Sequence, residues 1–110
     1  MARHLLVVFT NAVEGQEDKY NTWYDETHVP DLLAIPGVVS ARRLQLAPVQ
    51  MEGLPAPQHK YLALYEIDGD PAAAMAALSQ GVASGDIVIS DALDMAGTSV
   101  SVYSFRDPVA

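Results

Sequence analysis

The sequence predicts an α+β fold with the element order β-α-β-β-α-β. Four short apolar segments are rich in β-branched and aromatic residues, as strands are. Two other segments, each followed by glycine or proline, have helical character and lie after the first and third of these strands. All 110 residues, 1–110, are expected to form one domain.

The first half of the chain supplies a strand, a helix and a second strand. Residues 5–10, Leu-Leu-Val-Val-Phe-Thr, are predicted to form a strand buried on both faces. The first helix begins near Gln16, is interrupted by Pro30 and is ended by Pro36 and Gly37. A second strand then covers Val38 to Leu46.

The second half supplies a strand, a helix and a last strand. Prolines and a glycine mark residues 47–58 as a loop. Asp70 is a plausible cap for a helix that starts at Pro71 and reaches about Ser79 or beyond, with Gly81 loosening the chain after it. The third strand is expected over residues 60–67 and the fourth over 98–105, while residues 87–95 fit either a short strand or an irregular excursion.

This element order is that of the ferredoxin-like, split βαβ pattern. It predicts a four-stranded antiparallel sheet with both helices on one face. Alternation predicts that Val39, Ala41 and Arg43 share one face of the second strand, opposite Val38 and Ser40. Both sides of the predicted sheet carry apolar area, so we expect a homodimer that packs sheet against sheet.

Composition excludes several classes of function. The formal net charge of -8, from 14 acidic and 6 basic residues, disfavours nucleic-acid binding. The absence of cysteine excludes disulfides, thiol nucleophiles and zinc–thiolate sites, and it fits a reducing, cytoplasmic compartment. No apolar run approaches the ~20 residues of a membrane span, and the start of the chain lacks the cleavage region of a signal peptide.

The most unusual segment is residues 20–37, YNTWYDETHVPDLLAIPG, which places tyrosines, a tryptophan and a histidine on neighbouring rows of one helix. A helix that faces only solvent has little use for such a surface. A helix that forms the wall of a small-molecule cavity does. Such an aromatic row is also common in an ordinary core, and both interpretations stay open from spacing alone.

Together with Asn11, with Arg43 in the second strand and with residues 61–67 (YLALYEI), this segment resembles the dimeric α+β barrel superfamily, in its EthD-like branch. The resemblance covers nearly the whole chain in element order. It implies a cavity between the first helix and the sheet, with His28 pointing towards it. The superfamily includes muconolactone-type isomerases, polyketide cyclases, cofactor-free monooxygenases and haem-handling proteins, so the resemblance specifies the fold better than the reaction.

His28 is the first catalytic candidate, because an imidazole exchanges protons near neutral pH. Tyr24, one helical turn earlier, is expected to assist it. The competing interpretation is a histidine that only bonds the chain near Pro30. Asp31 is a further candidate, for setting the imidazole tautomer.

Five further residues are candidates for binding a substrate. Arg43 is costly on an apolar face unless it is paired, so it holds a substrate carboxylate, pairs with Glu66 or bridges a dimer interface. Asn11 either donates to a carbonyl or enolate oxygen or makes a local turn contact. Tyr20 and Trp23 either line the cavity or belong to the core, and Tyr65 is expected to line the cavity.

The remaining histidines, His4 and His59, show no metal-ligand spacing with His28, and His59 is expected to be exposed. We therefore expect neither a metal nor a cofactor. The leading hypothesis is an enzyme of isomerase or lyase type that performs isomerisation, elimination or cyclisation on a small unsaturated or aromatic-derived acid, lactone or polyketide-like ring, as in the catabolism of aromatic compounds. The alternatives are a non-catalytic dimeric module that binds a hydrophobic metabolite or haem, and a cofactor-free monooxygenase.

Overall fold

The computed structural model describes residues 3–106 and has the predicted β-α-β-β-α-β order. The elements are β1 His4–Thr10, α1 Glu17–Trp23, Tyr24–His28 and Val29–Leu33, β2 Val38–Gln45, β3 Tyr61–Ile67, α2 Pro71–Ser84 and β4 Ser99–Ser104. The helix α1 is continuous but contains three segments, and α2 is a single helix. The sheet is antiparallel throughout, with the strand order β2-β3-β1-β4.

One face of the sheet forms the core with both helices. In β3 every second side chain is buried, so alternation is confirmed there: Tyr61, Ala63, Tyr65 and Ile67. These residues join one cluster with side chains from β1, α1 and α2. The opposite face of the sheet is only partly covered within one chain. The expectation that β1 is buried on both faces is therefore wrong for the single chain, since Phe9 is 39% exposed.

A bulge near the start of β2 changes the predicted faces of that strand. Val38 pairs with Ile67 and Ser40 with Glu66, so Val39 is left outside the register. A bulge residue has no opposite partner, and Val39 is 56% exposed. Its assignment to the face of Ala41 and Arg43 was therefore wrong.

The three segments of α1 differ in hydrogen-bond register. Residues Tyr24–His28 form a π-helical turn, in which the N–H of Val29 donates to the carbonyl of Tyr24 five residues earlier. Pro30 comes next; it has no N–H, and in a regular α-helix its ring would collide with the carbonyl of Glu26. The extra residue of a π turn changes this geometry. The interruption predicted at Pro30 is thus a change of register within a helix that continues to Leu33.

The helix α2 begins as predicted, with the Asp70 side chain accepting a hydrogen bond from the N–H of Ala72 at 2.9 Å. It continues to Ser84, past Gly81, before Gly85 ends it with a φ of 86°. The expectation that Gly81 loosens the chain is wrong, because this glycine serves packing. A Cβ atom at Gly81 would lie only 2.5 Å from Cδ1 of Ile87.

Residues 87–95 form an irregular segment, which decides between the two interpretations of the sequence. Ile87, Ala92 and Leu93 are buried in it. The segment is attached to the end of β1 through an isolated bridge between Ala12 and Leu93. It therefore closes the core beside α1. Over residues 3–106, no helix has both the length and the apolar character that crossing a bilayer demands.

Candidate functional site

A small cavity lies between α1, the sheet and the segment 87–98. Its volume is about 180 Å³. Cavities of about 150 Å³ admit a benzene ring, so this one suits a single ring with few substituents. Four side chains of α1 line the cavity, together with mostly apolar residues of the sheet, α2 and residues 87–98: Trp23, Tyr24, His28, Leu32, Leu6, Val8, Thr10, Leu78, Val82, Ile89, Leu93, Met95, Thr98 and Val100.

His28 is a buried member of the cavity wall, at the end of the π-helical turn. Its Nδ1 atom is buried and has no hydrogen-bond partner in the described part of the chain. Burial lowers the pKa of His28 from its ordinary 6.5 to about 4, and the charge of Asp31 offsets part of this effect. The imidazole is therefore neutral at physiological pH. The charge of Asp31 acts on the pKa of His28, and its control of the imidazole tautomer stays a prediction.

Two aromatic rings hold the imidazole in place. The Trp23 ring stacks on His28 with 4.6 Å between centroids, and Tyr24 meets it edge-on at 5.1 Å. The indole N–H of Trp23 donates to the carbonyl of Val88 at 3.0 Å. This bond ties α1 to the irregular segment. The aromatic row of α1 thus fixes one imidazole against a cavity and also belongs to the core.

Arg43 lies behind Tyr24 and outside the cavity lining. Its guanidinium carbon is 4.3 Å from the centre of the Tyr24 ring and 5.3 Å from those of Tyr20 and Tyr61. Its Nη1 donates to Oδ1 of Asp25 at 2.8 Å. The alternative in which Arg43 pairs with Glu66 is wrong, since Ser40 donates to that carboxylate on the other face of the sheet. We call Arg43, Tyr20, Tyr24, Tyr61 and Tyr65 the arginine–tyrosine cluster.

The tyrosines of this cluster are deeply buried. The Tyr20 hydroxyl is hydrogen-bonded to Thr10. The Tyr65 hydroxyl is buried and has no partner of good geometry among the described residues, although Tyr24 lies close enough to affect its pKa. Burial raises the pKa of Tyr24 to about 12 and raises that of Tyr65 further. Both hydroxyls therefore stay protonated at neutral pH.

The other polar candidates lie away from the cavity. The Asn11 side chain donates to the carbonyl of Gln58 at 2.9 Å and accepts from the N–H of Lys60 at 2.8 Å, so it anchors the loop before β3. His59 is half-buried, and its Nε2 is 2.6 Å from the carbonyl of Gly97, so the expectation of exposure is wrong. Within residues 3–106, no three His, Asp or Glu side chains are grouped as metal ligands.

The structure thus divides the residues singled out from the sequence into three groups. His28, Tyr24 and Trp23 line the cavity. Tyr20, Tyr65 and Arg43 form a layer behind Tyr24, and Asn11 holds the loop. The sequence reasoning missed the contribution of residues 87–98. The alternation of Ile87 and Ile89 within a segment rich in Gly, Ser and Asp was the available signal for a buried wall.

Wider grooves of about 710 and 790 Å³ border the loop of residues 46–60. They are open to solvent. Their one histidine, His59, is held by the Gly97 carbonyl. The small cavity is the better candidate, because its buried imidazole is free of such a bond.

Two EthD-type proteins are among the solved structures of similar fold. One is an ethyl tert-butyl ether D (EthD) family protein from Bacillus halodurans C-125, with a TM-score of 0.64, 16% identity and coverage of 96% of this chain and 100% of that chain. The other is an EthD-like protein from Ralstonia eutropha JMP134, with a TM-score of 0.62, 14% identity and coverage of 94% and 93%. No protein-family model and no curated protein matches the sequence.

These similarities confirm the resemblance to the EthD-like branch at the level of the fold. Identities of 14% and 16% carry over neither a reaction nor a substrate, because one fold hosts many functions. The residues of the cavity are therefore the basis for any statement about function.

Proposed function

We propose that the protein is a cofactor-free acid/base enzyme that moves a proton within a small unsaturated or aromatic-derived compound. The reaction class is isomerisation, elimination or cyclisation next to a carbonyl. One observation carries this proposal: a buried, neutral imidazole without a hydrogen bond at Nδ1 forms part of the wall of a cavity the size of a ring. Perturbed titratable groups in clefts are typical of functional sites.

His28 supplies the base in this proposal. A histidine with a pKa of about 4 is neutral but weakly basic, so it suits a C–H bond that a carbonyl and a double bond already acidify. The proton moves from the α carbon to the imidazole, the electron pair shifts through the conjugated system, and the imidazolium returns the proton to the γ carbon. The double bond moves and nothing else is consumed. The imidazolium and the enolate attract each other strongly inside the cavity, which supports the step.

The surrounding aromatic residues hold the base in position. Trp23 and Tyr24 restrict the imidazole from two sides, and Arg43 contacts the Tyr24 ring from behind. In this proposal Tyr20, Tyr65 and Arg43 act through Tyr24, and Asn11 acts through the loop before β3.

The test uses a five-membered β,γ-unsaturated lactone, which is small, uncharged and acidic at its α carbon. Its conversion to the conjugated α,β isomer is followed by ultraviolet absorbance. We expect the protein to catalyse this shift and His28→Ala and His28→Gln to lose about 10²–10⁴-fold in rate, the usual contribution of one positioned base. His4→Gln is the matched control, since His4 lies outside the cavity lining and its ring contacts Ser104.

Unchanged rates in both His28 variants, with folding verified by circular dichroism, would remove His28 as the base. Absence of any lactone conversion by the parent protein would count against the proposed reaction class.

A second candidate is a non-catalytic module that binds a hydrophobic metabolite. The mainly apolar wall of the cavity favours it, because such walls bind without chemistry. Haem is a poor fit, since about 180 Å³ is well below the roughly 300–1,000 Å³ of sites for larger ligands. A cofactor-free monooxygenase acting on a phenol would use the same cavity, and oxygen consumption would identify it.

We also propose that the protein works as a cytoplasmic homodimer. The support is the apolar outer face of the sheet, where Phe9, Leu44 and Tyr103 are exposed in the single chain. Burying such a face is the usual reason for sheets to pair.

A further inference from the structure

The cavity also limits the charge of its ligand. Of the residues that line it within the described chain, none is an aspartate, glutamate, lysine or arginine. Arg43, the cation of the arginine–tyrosine cluster, faces the tyrosine rings and is paired with Asp25. At pH 7 a carboxylate placed in the cavity would meet a neutral imidazole and no lysine or arginine. Burying such an unpaired charge is strongly unfavourable.

The entrance to the cavity is also lined by uncharged side chains. Three lining residues are substantially exposed and therefore mark where the cavity meets solvent: Val82 at 42%, Met95 at 62% and Val100 at 54%. They come from α2, the irregular segment and β4. All three of these exposed side chains are apolar, and none carries a group that would pair with a charged ligand.

We propose that the cavity selects an uncharged single-ring compound, which enters between Val82, Met95 and Val100 and places its polar group against the imidazole of His28. This inference rests on the proposed function and narrows it: among acids, lactones and polyketide-like rings, it selects the neutral members. The polar group satisfies the imidazole, whereas the ring fills the apolar volume.

Benzamide and benzoate form a matched pair of probes, because they have nearly the same shape and differ in charge. We expect benzamide to bind in isothermal titration calorimetry at pH 7 and benzoate to bind at least about 30-fold more weakly. Val82→Phe should reduce benzamide binding at least about 10-fold by narrowing the entrance. Ala83→Phe, at the adjacent exposed helix position outside the cavity lining, should leave it unchanged.

Benzoate binding equal to or tighter than that of benzamide would overturn the proposal, as would the absence of benzamide binding up to its solubility limit. If Val82→Phe fails to fold, Val100→Phe tests the same entrance from β4. The lactone assay separates the two claims. Selective benzamide binding without lactone conversion would sustain the neutral ligand and refute the reaction class, whereas lactone conversion with tight benzoate binding would do the opposite.

Discussion

Acidification should destabilise this protein through one histidine. The pKa of His28 is about 4 in the folded chain, against an ordinary value of 6.5. Between these two pH values the unfolded chain takes up a proton at this position and the folded chain does not. His28 therefore does not reduce the free energy of unfolding above about pH 6.5, and it lowers that free energy progressively as the pH falls towards 4.

The size of this effect is set by the two pKa values. Their difference corresponds to about 3 kcal/mol, with a slope of about 1.4 kcal/mol per pH unit inside the window. This is a large share of the 5–15 kcal/mol that is typical of a domain. Glu17 and Asp91 also lose stabilising interactions in acid, since partners lower their pKa values, but they do so at the lower end of the range.

Urea unfolding of the parent protein and of His28→Gln, measured from pH 7.5 to pH 4, isolates the contribution of the imidazole. The parent curve should decline more steeply than that of the variant between pH 6.5 and 4. Parallel curves would refute the reasoning. An NMR titration of the His28 ring gives an independent check, and a midpoint near 6.5 would show that burial does not keep this imidazole neutral.

Three further changes test the packing of the helices, the cluster and the sheet. Gly81→Ala gains up to about 1 kcal/mol of helix propensity but places a Cβ 2.5 Å from Cδ1 of Ile87, so the free energy of unfolding measured in urea should fall by about 1–3 kcal/mol. Gln80→Ala is the control, and a more stable Gly81→Ala variant would contradict the close approach of Ile87. Arg43→Lys loses the contact of the guanidinium with the Tyr24 ring and should lower the free energy of unfolding by about 1–2 kcal/mol. Arg42→Lys, at an exposed position, should cost little, and equal losses in the two variants would contradict a special role of the cluster. Sedimentation equilibrium should show that the parent protein is a dimer and that Phe9→Glu dissociates it. Ala73→Glu, at an exposed position of α2, should leave the dimer intact, and a monomeric parent protein would rule out sheet pairing.

Much of the fold could be predicted from local pattern. Alternation in β3, the Asp70–Pro71 start of α2 and the end of α1 before Gly37 all obey short-range physical rules. The errors arose where contacts distant in sequence decide. Ile87 lies so close to Gly81 within α2 that a Cβ atom would not fit there, and Val39 leaves its face because the pairing with β3 shifts by one residue.

The candidate site was predictable in part. The aromatic row of α1 pointed to a cavity wall, and the structure brings His28, Tyr24 and Trp23 to one. The position of Arg43 behind Tyr24 could not be read from its strand, because it depends on how α1 lies across the sheet. The wall formed by residues 87–98 has no regular periodicity, so only its three-dimensional path reveals it.

The π-helical turn determines which side chain of α1 meets the cavity. One residue of an α-helix corresponds to a rotation of about 100°, so loss of a single residue between Tyr24 and His28 would turn a different side chain towards the ring-sized space. A single insertion or deletion in this turn would therefore change which side chain meets the cavity, without any substitution of the histidine itself.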